Sequence, residues 1–203
     1  MKKNRFDYVA PFYDLLSRLI FGKALIKSQA HFLDSIPEGA RVLIVGGGTG
    51  RLLSHKDLEK ASDIDYLELS SAMLSQARQN CPKQLNVNFI EGDFFCHSGS
   101  YDVVIANFFL DCFNADHLKA AIAKLSQIVS SKGLLLVTDF MPPDRLKHKV
   151  LLRLMLLFFR LSAQLEAKEL LNIPEAIEQV FSKKRTELFI NGFVFTSIFE
   201  PAT

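Results

Sequence analysis

Cysteine and histidine are scarce in this sequence and are scattered along it. The three cysteines, Cys81, Cys96 and Cys112, form no C-x-x-C pair and lack the spacing of zinc ligands. Their odd number and wide separation exclude a disulfide framework and indicate free thiols in a reducing compartment. The five histidines are equally dispersed, so we predict no metal site.

An excess of one charge and a long apolar run are also missing. The net charge is only +2, and the basic residues form no stripe with aromatic residues between them, so no nucleic-acid partner is implied. No run reaches the roughly 18 uncharged apolar residues of a membrane span. Asp7 and Asp14 interrupt the apolar core that a secretory signal would need. Together these absences predict a cytoplasmic protein.

The sequence contains enough apolar material for one globular domain. Of its 203 residues, 49% are hydrophobic. A chain of this length buries about 70% of the surface that its unfolded form exposes. A second domain is therefore not required.

A glycine-rich turn follows an apolar run of strand length. Residues 42–45 have no polar break, as in a central strand of a parallel sheet, and a Gly-Gly-Gly-Thr-Gly run occupies 46–50. Glycine permits the positive φ angles and the close backbone approach that a nucleotide-binding turn needs. A dinucleotide pattern G-x-G-x-x-G starting at Gly46 would need glycine where Arg51 stands, so the spacing disfavours a dinucleotide. An ordinary strand-to-helix turn is the alternative.

Acidic residues follow the next two predicted strands. Glu68 lies at the end of the strand predicted over 64–69, where a carboxylate can accept both hydroxyls of a ribose. Asp93 follows the strand predicted over 87–90 and can accept a hydrogen bond from an adenine amino group while Phe94 packs against the ring. A solvated loop carboxylate is the alternative for Glu68, and a loop cap is the alternative for Asp93.

Two further strands are predicted over residues 101–107 and 134–140. Between them an amphipathic helix starts at Asn114 or Asp116. Five strands alternating with helices predict an α/β fold, which is a Rossmann-like, doubly wound, mostly parallel sheet with helices on both faces. Ligands bind such sheets at the carboxyl ends of the strands. The residues expected at that edge are Gly46, Glu68, Asp93, Asn107 and Asp139.

The segments on either side of this core are predicted to be mainly helical. Residues 6–36 have helical apolar spacing, and helices are predicted over about 51–60 and 174–187, before a sixth strand at 193–199. As a helix, residues 150–161 would be apolar around nearly the whole circumference. Core packing or a homodimer interface, the wall of a lipophilic substrate site, and a contact with a membrane surface are the alternatives for that segment.

Four motifs in order resemble those of class I S-adenosylmethionine-dependent methyltransferases of the ubiquinone/menaquinone-biosynthesis type. They are the glycine run, Glu68-Leu69-Ser70-Ser71-Ala72-Met73-Leu74, Glu91-Gly92-Asp93, and Tyr101-Asp102-Val103-Val104. The resemblance covers roughly residues 6–200. It implies S-adenosylmethionine as the cofactor, bound by Gly46, Gly47, Gly48, Gly50, Glu68, Leu69, Met73, Asp93, Phe94 and Asn107.

The resemblance implies an enzyme that transfers a methyl group to a small-molecule acceptor. The candidates for the substrate face are Tyr8, Tyr13, Asn107 and Asp111, none with an assigned proton role. For Tyr13, anchoring the N-terminal arm to the domain is the alternative. The apolar segment 150–161 leaves a lipophilic acceptor open, and no residue identifies the acceptor.

The resemblance also implies a single methyltransferase domain over residues 1–203. A helical arm at 1–36 would act as a lid, and 40–140 would be the cofactor-binding core. Residues 144–203 would supply a helical insertion, the last helix and the final strand.

The sequence departs from the family pattern in two places. Ile44 stands where the family usually has an acid, two residues before the first glycine. Only four residues follow the predicted sixth strand, so the family's antiparallel seventh strand is expected to be absent; either the chain has been shortened or the sheet edge is completed differently. A protein that binds S-adenosylmethionine or S-adenosylhomocysteine without turnover is the alternative function, and a nucleotide-dependent oxidoreductase is a further one.

Overall fold

The computed structural model describes residues 23–142 and 171–202, which form one seven-stranded sheet with helices. The strands are β1 Arg41–Val45, β2 Asp63–Glu68, β3 Val87–Glu91, β4 Tyr101–Asn107, β5 Val129–Phe140, β6 Phe181–Phe189 and β7 Val194–Pro201. The α-helices are α1 Ala24–Ala30, α2 Ser71–Asn80, α3 Ala115–Ile128 and α4 Ile173–Glu178. Short 3-10 helices cover Leu33–Ser35, Arg51–Ser54, Lys56–Lys60, Phe94–Cys96 and Leu110–Cys112.

The strand order is β3-β2-β1-β4-β5-β7-β6. The first five strands in this order pair in parallel, and β7 pairs antiparallel with both β5 and β6. The predicted α/β class with a mostly parallel, Rossmann-like sheet is therefore confirmed. The order reverses between β1 and β4, which is where ligands bind in folds of this kind.

Alternate residues of β1 contribute to two separate hydrophobic cores. Leu43 and Val45 pack with residues of α3 and α4, while Val42 and Ile44 pack with the 3-10 helices after the glycine run and with α2. Successive side chains of a strand point to opposite faces, so the two cores lie on the two faces of the sheet. An apolar strand without a polar break is what this arrangement needs.

The helices that follow β2 and β4 begin at side-chain caps. Ser70 Oγ accepts the N–H of Met73 at 3.3 Å at the start of α2, and Asn114 Oδ1 accepts the N–H of His117 at 3.0 Å at the start of α3. Both bonds satisfy a backbone donor that has no partner within the helix. The predicted start of α3 at Asn114 is confirmed.

The helix predicted over 51–60 is replaced by two 3-10 helices. His55 lies between them with extended backbone, and its Nδ1 accepts the N–H of Asp57 at 3.4 Å. Leu52, Leu53 and Leu58 are all buried. The apolar spacing therefore correctly indicated burial. A regular helix does not continue through this segment, because His55 has an extended backbone and caps the start of a second 3-10 helix.

The prediction for the C-terminal part was wrong in its secondary structure. The helix that begins near Pro174 ends at Glu178, and the residues predicted to complete it form β6. The predicted sixth strand is β7, so the antiparallel seventh strand expected to be absent is present. Most of β6 is exposed. An edge strand of this kind tolerates charged residues on both faces, and its composition therefore does not show the alternation that identifies a half-buried strand.

Several predictions lie outside the residues that the structure describes. They concern Tyr8, Tyr13, most of the helical arm at 1–36, and the apolar segment 150–161. The division of the chain into arm, core and insertion stays a prediction. No helix within the described parts of the chain is long and apolar enough to cross a membrane.

Candidate cofactor site

The glycine run connects the carboxyl end of β1 to the first 3-10 helix. Gly46, Gly48 and Gly50 have φ angles of +60°, +64° and +81°. Side chains with a Cβ rarely adopt this left-handed conformation, which explains why glycine occupies these three positions. The backbone at Gly46 remains tied to the sheet, because its N–H donates to the Leu67 carbonyl at 2.9 Å.

Three of the four glycines are closed in by neighbouring residues. A Cβ on Gly46 would lie 2.7 Å from Phe109 Cδ2, one on Gly47 would lie 2.2 Å from Tyr66 Cζ, and one on Gly50 would lie 2.7 Å from Ala77 Cα. A Cβ on Gly48 would meet nothing within 4 Å. The turn is therefore packed from below and from both ends, and it faces open space at Gly48.

Glu68 lies directly beside this open position. Its Oε2 accepts the N–H of Gly48 at 2.9 Å, and its Oε1 accepts the N–H of Ser70 at 2.8 Å. The residue is only 8% exposed. The structure thus brings together the glycine turn and the acid that the sequence predicted beside it.

Tyr66 supports the turn from within the sheet, and sequence analysis missed it. Its ring lies under Gly47, and its hydroxyl donates to the Gly48 carbonyl at 3.1 Å. Asn80, at the end of α2, donates to the Thr49 carbonyl at 2.8 Å. Its position in the sequence could have identified it, because Tyr66 precedes Glu68 by two residues and therefore lies on the same face of β2.

At the end of β3, Asp93 acts as a local cap. Its Oδ1 accepts the N–H of Phe95 at 2.9 Å, and the residue is exposed. Phe94 is buried. In the segment after β2, Leu69 is 48% exposed and Met73 is 7% exposed. The capping alternative is therefore observed for Asp93, while contact with an adenine stays a prediction.

Asn107 ends β4 with an unsatisfied donor. Its Nδ2 is buried and has no hydrogen-bond partner, the one such side-chain atom found within 23–142 and 171–202. The next residue, Phe108, has a left-handed φ of +50° although it is not glycine. Buried donors without a partner are rare in native proteins, and a bound group or an ordered water commonly satisfies them.

The turn after β4 contains a half-buried acid, Asp111, next to the fully buried Asp139 of β5. Asp139 Oδ2 accepts the N–H groups of Leu110 at 3.0 Å and Asp111 at 3.2 Å. Burial raises the pKa of Asp111 to about 6. Burial, and then the charge of Asp111, raise the pKa of Asp139 well above its usual value. These carboxyls therefore lie where ionisation is disfavoured.

Four phenylalanine rings form a closed set beside this turn. Phe94 contacts Phe95 and Phe109 with ring centroids 5.6 and 5.2 Å apart, and Phe113 contacts the same two rings at 5.6 and 5.1 Å. All four contacts are edge-to-face, the geometry that aromatic pairs prefer. Phe95, Phe109 and Phe113 are only partly buried, so the set offers an apolar surface at the carboxyl edge.

Comparison with known proteins identifies the family. A family model described as a methyltransferase domain matches residues 42–133. The chain is 31% identical over 147 residues to a demethylmenaquinone methyltransferase from Thermus thermophilus, an alignment that covers 69% of this chain and 66% of that protein. The chain belongs to the class I S-adenosylmethionine-dependent methyltransferases. The predicted family, and S-adenosylmethionine as its cofactor, are confirmed.

Other methyltransferases match over different shares of their length. The chain is 32% identical over 117 residues to a malonyl-[acyl-carrier protein] O-methyltransferase from Halalkalibacterium halodurans, which covers 54% of this chain and 42% of that protein. The alignments thus span from less than half to about two thirds of these two curated relatives. The magnesium protoporphyrin IX methyltransferase of Synechocystis PCC 6803, solved with bound S-adenosylhomocysteine, has a TM-score of 0.67 at 18% identity, with 96% of this chain and 95% of that one covered.

Three features at the carboxyl edge bear on where the cofactor could bind. Gly48 leaves open space beside the backbone, the Glu68 carboxylate lies next to it, and Asn107 holds a buried donor with no partner among the described residues. Hydroxyl groups, an amino-acid moiety and a flat base are complementary to these features. No group of His, Cys, Asp or Glu in the described ranges could hold a metal ion.

Proposed function

We propose that this methyltransferase transfers the methyl group of S-adenosylmethionine to a small, apolar acceptor at the carboxyl edge of the sheet. The observation that carries the proposal is the pairing of Glu68 with the open side of the glycine turn at Gly48. A carboxylate beside a left-handed glycine turn is suited to a nucleoside whose hydroxyls need acceptors.

Different residues around the turn bind different parts of the cofactor. Gly46, Gly47, Gly48 and Gly50 form the backbone under the methionine and ribose, and Glu68 accepts the ribose hydroxyls. Leu69 and Met73 flank the adenosine, while Asp93 and Phe94 receive the adenine. Asn107 donates its free N–H to the methionine side, where Ile44 has removed the acid that the family usually has.

The chemistry needs alignment more than it needs proton transfer. When bound, the cofactor supplies a sulfonium whose methyl group is already activated. The chain positions the acceptor at about 3 Å from that methyl and excludes water. The partly exposed rings of Phe95, Phe109 and Phe113 provide an apolar surface for this purpose.

The class of acceptor is inferred from these aromatic side chains. The relatives are named for demethylmenaquinone and a malonyl-acyl-carrier protein, which differ chemically. Those names therefore do not select between acceptors, whereas an aromatic lining favours an apolar one. A cytoplasmic location, Tyr8 and Tyr13 at the substrate face, and association through 150–161 stay predictions.

The proposal is tested by calorimetry with S-adenosylmethionine on the wild type and on Glu68→Ala. Loss of charge-assisted hydrogen bonds should weaken binding by at least about 1 kcal/mol, or roughly fivefold. Glu38→Ala is the control, because it removes the same charge from an exposed loop at the other end of the sheet. Equal affinity of the two variants would contradict the ribose role of Glu68.

Turnover needs a separate measurement. The wild type is incubated with methyl-labelled S-adenosylmethionine and fractions of small molecules extracted from cells. Label is expected in an apolar fraction. Binding of the cofactor with no labelled product in any fraction would favour a binding protein without turnover.

A further inference from the structure

Two carboxyl groups at the carboxyl edge, those of Asp111 and Asp139, lie close together. Asp139 is completely buried at the end of β5, and its side chain accepts three backbone N–H groups, those of Leu110, Asp111 and Phe140, at 2.8 to 3.2 Å. Because two of these donors belong to the turn after β4, Asp139 fixes the turn that carries the Asp111 carboxyl. Neither acid forms an ion pair with any residue of 23–142 or 171–202.

This turn is in direct contact with the glycine run. Phe109 precedes Leu110, and its ring occupies the space where a Cβ of Gly46 would lie. The Sγ of Cys112 lies 3.6 Å from Asp111 Oδ1, and the charges of Asp111, Asp139 and Glu68 all act on this thiol. Three carboxyls thus converge between the glycine turn and the end of β4.

A half-buried negative charge is stabilised by a positive charge brought close to it. The nearby Asn107 Nδ2 is a free donor but carries no charge. S-adenosylmethionine has a positive sulfur, whereas S-adenosylhomocysteine, which has lost the methyl group, has a neutral one. The two ligands are otherwise alike in nucleoside, amino group and carboxylate.

We propose that Asp111, positioned by Asp139, distinguishes the charged methyl donor from its neutral product. This inference rests on the proposed function. During transfer the acceptor forms a bond to the methyl carbon, the carbon–sulfur bond breaks, and its electron pair stays on sulfur. The sulfur becomes neutral, so its attraction to Asp111 ends and the product is released more readily.

The preference should depend on pH in a defined direction. Burial raises the pKa of Asp111 to about 6, so this carboxyl is ionised above that pH and protonated below it. The titratable groups that face it are Asp139, Cys112 and, across the thiol, Glu68. Burial and the neighbouring acids raise the pKa of Cys112, so the thiol stays neutral. Preference for the sulfonium should therefore increase from about pH 5 to about pH 8.

The experiment measures the affinities of S-adenosylmethionine and S-adenosylhomocysteine by calorimetry at about pH 5 and about pH 8. In the wild type, the ratio of the two dissociation constants should shift toward the donor by at least about tenfold over this range, since an adjacent opposite charge moves a pKa by one unit or more. In Asp111→Asn the ratio should be the same at both pH values. Asp116→Asn, in the exposed first turn of α3, is the matched control and should behave as the wild type.

The ratio isolates the sulfonium, because the two ligands share the nucleoside, the amino group and the carboxylate, and pH effects on those parts apply to both. Retained binding of S-adenosylhomocysteine by Asp111→Asn shows that the variant is folded. A wild-type ratio that does not change with pH, or an Asp111→Asn ratio that still does, would overturn this inference and leave the proposed function intact. Failure of the wild type to bind either ligand would overturn the proposed function itself.

Discussion

Asp65 at the amino edge of the sheet is surrounded by side-chain donors, whereas the one side-chain donor to Asp111 at the carboxyl edge, among the described residues, is the weak thiol of Cys112. Asp65 accepts hydrogen bonds from Tyr101 at 2.7 Å, Asn88 at 2.9 Å and Arg41 at 3.1 Å. Although burial raises the pKa of Asp65, these three donors lower it below its usual value. Burial raises the pKa of Asp111 to about 6 without such donors.

The difference separates a structural acid from one available to a ligand. The amino edge compensates its buried charge within the protein, so this charge contributes to folding. At the carboxyl edge, among the described residues, Asn107 Nδ2 has no hydrogen-bond partner, and the side-chain donor to Asp111 is only the Cys112 thiol. Uncompensated polar groups lower stability and are retained where a ligand supplies the missing partner.

The largest effect is expected at Gly50, where the glycine turn packs against the backbone of another element. Gly50→Ala should reduce the free energy of unfolding by about 2–4 kcal/mol, because alanine is strained at a φ of +81° and its Cβ would lie 2.7 Å from the Ala77 backbone. Chemical denaturation of the wild type and the variant measures this loss.

Gly48→Ala tests whether the open side of the turn binds the cofactor, and Gly39→Ala is its control. Gly39 and Gly48 have φ angles of +74° and +64°, and a Cβ added to either would meet nothing within 4 Å. Substitution of either glycine by alanine should therefore lower the free energy of unfolding by only about 1–2 kcal/mol. Gly48→Ala alone should also weaken binding of S-adenosylmethionine. Unchanged affinity in Gly48→Ala would mean that the open space at this position is not part of the site.

A smaller effect is expected from removing the compensated acid. Asp65→Asn should lower the free energy of unfolding by about 1–3 kcal/mol at neutral pH, since it removes a charge held by three donors. The pKa of Asp65 is lowered by folding, so this stabilisation is present above about pH 4 and is lost as the pH falls further. Denaturation curves across this range, with Asp63→Asn at the exposed start of β2 as control, check both statements. A difference that grows on acidification would contradict them.

The smallest effect should have the opposite sign. Because burial raises the pKa of Asp111 to about 6, ionising it in the folded state costs stability as the pH rises from about 4 through 6. Asp111→Asn should therefore stabilise the protein by about 1 kcal/mol near pH 8, an amount reduced for partial solvent screening, and by nothing near pH 4. Thermal or chemical denaturation at both pH values measures it, and destabilisation at pH 8 would remove the contrast between the two edges.

The parallel core was predictable from the sequence because its signals are local. The apolar run before the glycines, the acid at Glu68 and the cap at Ser70 each depend on neighbouring residues, and each strand from β1 to β4 lies where it was predicted. The edge strand β6, which pairs with the predicted β7, was not predictable in the same way, because an exposed edge strand is defined by its partner and not by its own pattern.

The packing around the site also escaped prediction. Nothing in the sequence indicates that Phe109 fills the space beside Gly46, or that Asp139 holds the turn after β4, because both contacts join residues distant in the chain. Spacing identified the residues at the carboxyl edge, but only the folded backbone shows which of them share a hydrogen bond. The same limit applies to Asp65, whose donors come from three other strands.

The contact between Tyr66 and Gly47 makes the side-chain sizes allowed at these two positions depend on each other. The phenol occupies the volume that any larger residue at 47 would need, so neither position can change freely while the other is kept. Related sequences with a bulkier residue at 47 should therefore have a smaller one at 66, and they would then lose the hydroxyl that holds the Gly48 carbonyl. Positions 47 and 66 are therefore expected to covary among related sequences.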